Sequence, residues 1–475
     1  MTDHTPRHGT AQLAARTLGA VGSTLTIALA GLVTALGLPS GVVAALQGPV
    51  PELPVIEVLP AEPDRMLVCM GPALSFGSEG ARFMAYGAPS ETLAGSTITT
   101  TVITDTTVTD GFALEATLTE NPPVVVSQPV EAGVLAATSA QLVSNLNVAG
   151  FAVSECQIPE RELWLVGGDT STGRQTAISL VNPSDVQALV DLDVWGAQGP
   201  ILAPLGQGIL LPPQSQRVLS LSGLAPGETS PVVRVSSDSV GVVASMHSTI
   251  VRGLEADGLS VNGSQPVPST LRVVTGAYTP PEEVIGPIKG KDGYRDVGAV
   301  LRLLAPESDA DVRITVKAPG ADDSVIEATL VAGETTDLLL DEFNTGDIAV
   351  IAESDHPIVA ALRSSVGTDA RTDTDWVGSA HSLVGETAFA VPSSGEARVS
   401  FVNRGEEAIM VTLDNREVVV PARGLVTRPV AAGAHTVRSA QPVFAAVSVR
   451  GETVMDSFLV LPSSQPQSSV LVSVR

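Results

Sequence analysis

Three stretches of this chain share one pattern: AISLVNPSDVQALVDLDVWG from Ala177, VLRLLAPESDADVRITVKAPG from Val300, and RVSFVNRGEEAIMVTLDN from Arg398. In each, an apolar strand ends at a short polar turn and an alanine opens a second strand of alternating character. Ala188, Val190, Leu192 and Val194 share one side, as do Ala310, Val312, Ile314 and Val316. A period of two with polar residues between is the mark of a strand covered on one face. Later segments repeat in the same order. LLPPQSQRVLSL, LVAGETTDLLL and VVPARGLVTRPV each read as strand, turn, strand. VRVSSDSVGVVAS, AVIAESDHPIVAAL and HTVRSAQPVFAAV each hold a polar turn between two apolar strands, as antiparallel neighbours require.

The spacing from Asn182 to Ala305 to Asn403 is 123 and then 98 residues. A propeller blade of about 40 to 50 residues is too short for that period, whereas an immunoglobulin-sized sandwich of about 100 residues fits. The expected fold is all-β, an N-terminal transmembrane helix followed by tandem Ig-like β-sandwiches, with a β-propeller or interlocked β array as the alternative. What recurs is core-facing apolar residues and turn formers, while the polar positions vary between copies. The phrase is therefore a rule of construction rather than a catalytic signature. Asn182 and Asn403 can cap a turn through nearby backbone groups, which Ala305 cannot do.

Residues 17–51 carry no charge, and as a helix the stretch TLGAVGSTLTIALAGLVTALGL extends about 33 Å. That matches a bilayer core of about 30 Å. Arg7 and Arg16 precede it, while Glu52 and Glu57 follow. The positive-inside tendency then leaves the N-terminus in the cytoplasm and the rest outside the cell membrane as a single-pass ectodomain. The competing reading is secretion after signal cleavage near Ala45. The expected organisation is a cytoplasmic tail (1–16), a signal-anchor (17–46), a linker (47–64), a disulfide-stapled β domain (65–160), a first repeat (161–265), a linker with the second repeat (266–384) and a third repeat (385–475). Pro- and Gly-bearing stretches at 262–296 and 367–384 read as linkers.

Cys69 and Cys156 are the only cysteines, and in an oxidising compartment two thiols pair more readily than they stay free. The formal net charge of -25 repels phosphate backbones, so nucleic acid is not an expected partner. Lysine is nearly absent, a bias in keeping with a GC-rich genome. The order of anchor helix, cysteine, Thr-rich strands, and then a second cysteine followed by LWLVGGDTSTGRQTAISLVNPSD resembles an uncharacterised family of actinobacterial membrane-anchored envelope proteins, a domain of unknown function. The repeating phrase is also similar to β modules found in tandem in bacterial surface proteins, with Arg404 departing from the proline seen at Pro183 and Pro306. Neither resemblance implies an activity.

Candidate chemistry is sparse. His4, His8, His247, His356, His381 and His435 stand singly, without the spacing of a metal site. No catalytic residues, cofactor site or metal site are expected. Asp309 with Asp311, Asp322 with Asp323, and Asp369, Asp373 with Asp375 read as loop carboxylates that could gather calcium or simply solvate the surface. Trp164 and the loop residues Gly167, Gly168 and Asp169 form a candidate partner-binding loop. The structural alternative for Trp164 is packing on the disulfide. The expected function is a non-enzymatic structural or binding role in the cell envelope, anchored in the membrane, with an envelope protein or cell-wall glycan as possible partner. The alternative is an enzyme acting on cell-wall polysaccharide or peptidoglycan.

Overall fold

A computed structural model describes residues 55–58, 64–76, 83–103, 105–109, 115–117, 121–294, 296–340, 343, 345–368, 371–463 and 470–473. The expected anchor at 17–46 lies outside the described residues, and no described helix is long and apolar enough to cross a membrane. Two units divide the chain. In the smaller, Val55–Val58 pairs antiparallel with Val470–Ser473. The larger, residues 62–466, is mostly β.

Its plan is clearest where the repeats are cleanest. Seven strands run Ser269–Thr279, Val300–Leu304, Ala310–Lys317, Ser324–Leu330, Thr335–Leu339, Gly346–Gly367 and Thr372–Gly378. The long sixth strand serves two layers. Its first half pairs with the first and third strands, and the third pairs with the fourth. Its second half pairs with the second and seventh, and the second pairs with the fifth. Between the layers sits an apolar core that includes Leu301, Leu303, Val312, Ile314, Val350 and Leu362. The alternation read in the sequence thus points into this core. Ser382–Val391, Glu396–Val402, Ile409–Leu413, Arg416–Val420, Leu425–Val430, Gly433–Arg450 and Met455–Leu459 repeat the plan in the same order. Glu162–Val166 to Glu255–Gly263 does so too, with the sixth strand broken into Val232–Ser237 and Val243–Arg252. Immunoglobulin domains place their strands in separate ABED and CFG sheets. Here one strand belongs to both layers and the first strand pairs with the sixth, so the order differs.

The stapled N-terminal region proves to be a fourth copy. Arg65–Cys69 and Thr99–Val102 flank Val124–Gln128, while Ser90–Ala94 and Ala149–Glu155 flank Ala136–Ser144. These are the first, third, second and seventh strands around a broken sixth. Asp105–Thr109 leaves this module and pairs in parallel with Ser215–Ser220, the fifth strand of the next. We number the modules 1 to 4 along the chain.

The modules close into a ring. The second layer of each packs on the first layer of the one before. Val181 and Val243 of module 2 meet Val68 and Met70 of module 1. Val402 and Leu425 of module 4 meet Val273 and Ile351 of module 3. Ala94 of module 1 meets Ala388 and Ala390 of module 4, and Thr138 Oγ1 donates to the Ala390 carbonyl at 2.7 Å. The four seventh strands, Ala149–Glu155, Glu255–Gly263, Thr372–Gly378 and Met455–Leu459, lie side by side in that order, with the last returning to the first. They form the inner bundle.

Two stretches read as linkers are therefore structural. Residues 262–296 contain the first strand of module 3 and the helix Glu282–Lys289, and residues 367–384 contain its inner strand. The polar run TDTD at 372–375, read as part of an acidic loop within that linker, lies in the strand Thr372–Gly378, and all four residues are buried.

Candidate functional site

Carboxylates join the inner strands. Asp373 Oδ1 accepts the Leu259 N–H at 2.9 Å, while its Oδ2 accepts the Phe151 N–H at 2.9 Å and the Met455 N–H at 3.2 Å. One side chain of module 3 thereby touches the backbones of the other three modules. Asp456 Oδ2 accepts from Val153 N at 2.9 Å, Glu155 Oε2 from Leu459 N at 2.9 Å, and Asp375 Oδ2 from the Ser457 hydroxyl at 2.6 Å. Burial pushes Glu155 up to about 7 and holds Asp373 well above the usual carboxylate range. Burial also raises Asp375 and Asp456, and Asp456 is raised further by the Asp375 charge and by their mutual hydrogen bond. Removal from water makes a neutral carboxyl the cheaper form. Asp373 and Asp375, candidate loop ligands by sequence, instead hold strands together, and Asp369 lies outside the described residues.

The candidate partner loop lies in the seam between modules 2 and 3. Trp164 is 2% exposed and stacks on Trp195, with ring centroids 5.3 Å apart. Trp376 of module 3 completes the same apolar cluster. Trp164 does not pack on the disulfide, whose cluster is Leu67, Cys69, Val126, Leu135, Ala137 and Cys156. The Cys69–Cys156 bond ties the first strand of module 1 to the residue after its inner strand. At the matching place in module 2 the Gln265 N–H donates to the Trp164 carbonyl at 2.9 Å, so the shared feature is a backbone bridge and the disulfide is an addition to it.

Gly167 and Gly168 are also buried. A Cβ on Gly168 would lie 2.7 Å from Thr176 Oγ1, and its φ of +76° belongs to the left-handed region. Asp169 Oδ1 accepts from Ser171 N at 2.7 Å, and its backbone N–H donates to Thr176 Oγ1 at 3.0 Å. The loop exposes the Gly168 carbonyl to Arg302 Nη1 at 3.0 Å. Arg302, fully buried, also donates Nη1 to Pro231 O, Nη2 to Thr229 O, and Nε and Nη2 to the Asp337 carboxylate at 2.9 and 3.0 Å. All five of its N–H bonds are used, and its guanidinium lies 4.4 Å from the Trp376 ring centroid. Sequence reasoning missed Arg302 because a lone arginine in an apolar strand, VLRLL, carries no motif.

Other candidates disperse. No cluster of His, Cys, Asp or Glu that could hold a metal occurs among the described residues. Asp309 accepts from Ala332 N, Asp311 from Thr329 Oγ1, and Asp323 from Lys317 Nζ. Burial pushes His247 down to about 3, and burial with the Arg272 charge pushes His381 down to about 4. His435 engages Asp414 through Nδ1 and the Ala431 carbonyl through Nε2 at 2.8 Å, so both ring nitrogens are occupied.

The model of a family of unknown function, DUF5719, matches residues 113–436, more than half of the chain. The chain belongs to that family. The DUF5719 match begins within module 1 and ends within module 4, spanning parts of both and all of modules 2 and 3. No curated protein matches the sequence. Among solved structures, Thermotoga maritima 1070 is similar at 20% identity over 23% of this chain and 92% of that one, with a TM-score of 0.20. The Anabaena sensory rhodopsin transducer is similar at 22% identity over 21% and 91%, with a TM-score of 0.16. A tetra-tandem repeat from the extending region of a large adhesion protein is 12% identical over 83% and 98%, with a TM-score of 0.11.

Proposed function

We propose that this DUF5719 protein is a non-enzymatic scaffold of an actinobacterial cell envelope, held at the outer face of the cell membrane by residues 17–46 and presenting its β modules to another envelope component. The observation that carries this reading is how the buried ionisable groups at the ring's centre and in the Trp164 seam are used. Asp373 and Arg302 are committed to backbone and side-chain partners of neighbouring modules, which makes them parts of a frame rather than reagents. The Cys69–Cys156 bond is consistent with an oxidising compartment. An uncharged N-terminal stretch of bilayer length supports anchorage.

The test is fractionation of the native host with N-terminal sequencing of the mature chain, followed by crosslinking and co-purification. The reading expects an uncleaved chain in the membrane fraction and a reproducible crosslinked envelope component. Recovery from the medium with a new N-terminus near residue 46 removes the anchor. Cell-wall hydrolysis by the purified ectodomain, abolished by one Asp or Glu substitution, removes the scaffold.

A further inference from the structure

Modules 2, 3 and 4 each carry a fifth strand at the edge of the second layer, and the three edges end differently. The fifth strand pairs with the second in one register throughout. Ser220 lies opposite Ala177 in module 2, Leu339 opposite Val300 in module 3, and Pro429 opposite Arg398 in module 4. Ala177, Val300 and Arg398 begin the three recurring stretches of sequence, so Ser220, Leu339 and Pro429 hold equivalent places. One step inward, Val218, Asp337 and Thr427 are equivalent in the same way.

Single bonds show which backbone groups face outward. The Leu340 N–H donates to the Ala299 carbonyl at 2.9 Å. Inward and outward groups alternate along an antiparallel strand, so Thr336 and Leu338 also face the second strand, while Thr335, Asp337 and Leu339 turn their N–H and C=O groups away from it. In module 4 the Asn403 N–H donates to the Gly424 carbonyl at 2.9 Å, and the same alternation turns Leu425, Thr427 and Pro429 outward.

The module 2 edge is covered by the chain itself. Asp105–Thr109 of module 1 adds to Ser215–Ser220 in parallel with Val108 opposite Val218, and both Val218 and Ser220 are buried. The module 4 edge is closed by its composition, because Pro429 has no N–H to give and a proline at an edge blocks strand addition. The module 3 edge has neither protection. Among the described residues Thr335–Leu339 pairs only with Val300–Leu304, its sequence TTDLL holds no proline or lysine, and Leu339 is 71% exposed. The charge of Asp337 is matched by Arg302 and does not repel an added strand.

We propose that the free edge of module 3 receives an extended segment of a partner protein as an added parallel strand, rich in threonine and valine and free of proline, as Ser215–Ser220 receives Asp105–Thr109 of its own chain. A row of unpaired N–H and C=O groups binds a strand through its main chain. The covered edge of module 2 shows the kind of strand that this position accepts. In the register of module 2 the residue in the place of Val108 lies opposite Asp337. The Asp337 N–H then donates to the carbonyl of the residue before it, and the residue after it donates to the Asp337 carbonyl, the slanted pattern of a parallel pair. The inference stands on the three edges and does not depend on the envelope reading.

The test uses the full-length protein and a fluorescent peptide of sequence TDTTVTD, copied from residues 104–110, read by polarisation. Saturable binding is expected, and Leu339→Pro, which gives module 3 the proline of module 4, should weaken it about tenfold through the lost N–H. The peptide main chain supplies a readout that needs no protein variant. N-methylation at the places of Thr107 and Thr109, whose N–H groups face the edge in this register, should abolish binding, whereas N-methylation at the places of Thr106 and Val108 should preserve it. Binding that is absent at millimolar peptide, that is the same for both methylated peptides, or that Leu339→Pro leaves unchanged overturns the proposal. Self-association of the protein that Leu339→Pro abolishes and the peptide does not disturb would give the edge to a second copy of this chain, and overturns it as well.

Discussion

Glu155 accepts the backbone N–H of Leu459 at 2.9 Å across 304 residues of sequence. The contact joins the inner strand of the first module to that of the last, and with the Asp456 bond to Val153 it closes the ring from both sides.

The closure depends on pH. The Glu155 carboxyl, at about 7 against an ordinary 4.5, holds its proton more tightly folded than unfolded. Its contribution is therefore complete below about pH 4.5 and is lost as pH rises to about 7, a change of about 3 kcal/mol. Asp373, Asp375 and Asp456 are displaced in the same direction and carry the same sign. Asp296 and Asp337, whose arginine partners lower them, act in the acid range below that window. Urea midpoints should fall between pH 4.5 and 7, and Glu155→Gln, which keeps a carbonyl oxygen for Leu459, should flatten that fall. A midpoint that rises over the window counts against the assignment.

Gly150 leaves room for the axial contacts. A Cβ there would lie 2.6 Å from both Asp373 Oδ1 and the Leu259 nitrogen, at a φ of +152°. Gly150→Ala should cost about 2 to 4 kcal/mol by strain and by displacement of the Asp373 carboxylate. Thermal unfolding measures the loss. A change below about 0.5 kcal/mol would mean that the inner strands are not in close contact.

Trp164, Trp195 and Trp376 are the only tryptophans in the chain and all lie in one seam. Intrinsic fluorescence therefore reports that seam alone. Arg302→Ala leaves the carbonyls of Gly168, Thr229 and Pro231 without their donor and should cost about 3 to 5 kcal/mol, the range for breaking a buried ion pair. The emission should shift to longer wavelength as water enters. Unchanged emission with full loss of stability would place the role of Arg302 elsewhere.

The Cys69–Cys156 bond closes a separation of 87 residues. In the chain-entropy account such a loop contributes about 4 to 5 kcal/mol. Because module 1 supplies Phe151 and Val153 to the axial bonds, the Cys69→Ser, Cys156→Ser variant should lower the urea midpoint of the whole larger unit. Loss confined to residues 65–156, followed by hydrogen exchange, would show module 1 to be a separate domain.

The sequence carries the modules more plainly than their assembly. Ala188, Val190, Leu192 and Val194 alternate because one face is covered, and all four are buried. Asn182 and Asn403 do hold turns, each with Nδ2 on three carbonyls and Oδ1 on an N–H two residues ahead. Module 1 lacks the recurring phrase, its fifth strand has no described counterpart, and Asp105–Thr109 is given to its neighbour, so its kinship shows only in strand pairing. The ring is illegible for a further reason. Single residues close it, Asp373, Asp456, Glu155 and Arg302, and nothing in their local sequence distinguishes a buried carboxylate from one on a solvated loop. Trp164 shows the opposite limit: it was legible as a packed side chain, but its partner is a surface 212 residues downstream at Trp376.

The closed ring is the central claim, and native-state hydrogen exchange under increasing urea tests it most directly. The peptides covering the four inner strands, Ala149–Glu155, Glu255–Gly263, Thr372–Gly378 and Met455–Leu459, should lose protection together at one opening free energy, because each holds backbone or carboxylate bonds to another module. Stepwise loss, with one module's inner strand opening while the other three keep full protection, would contradict the ring and leave four domains joined end to end.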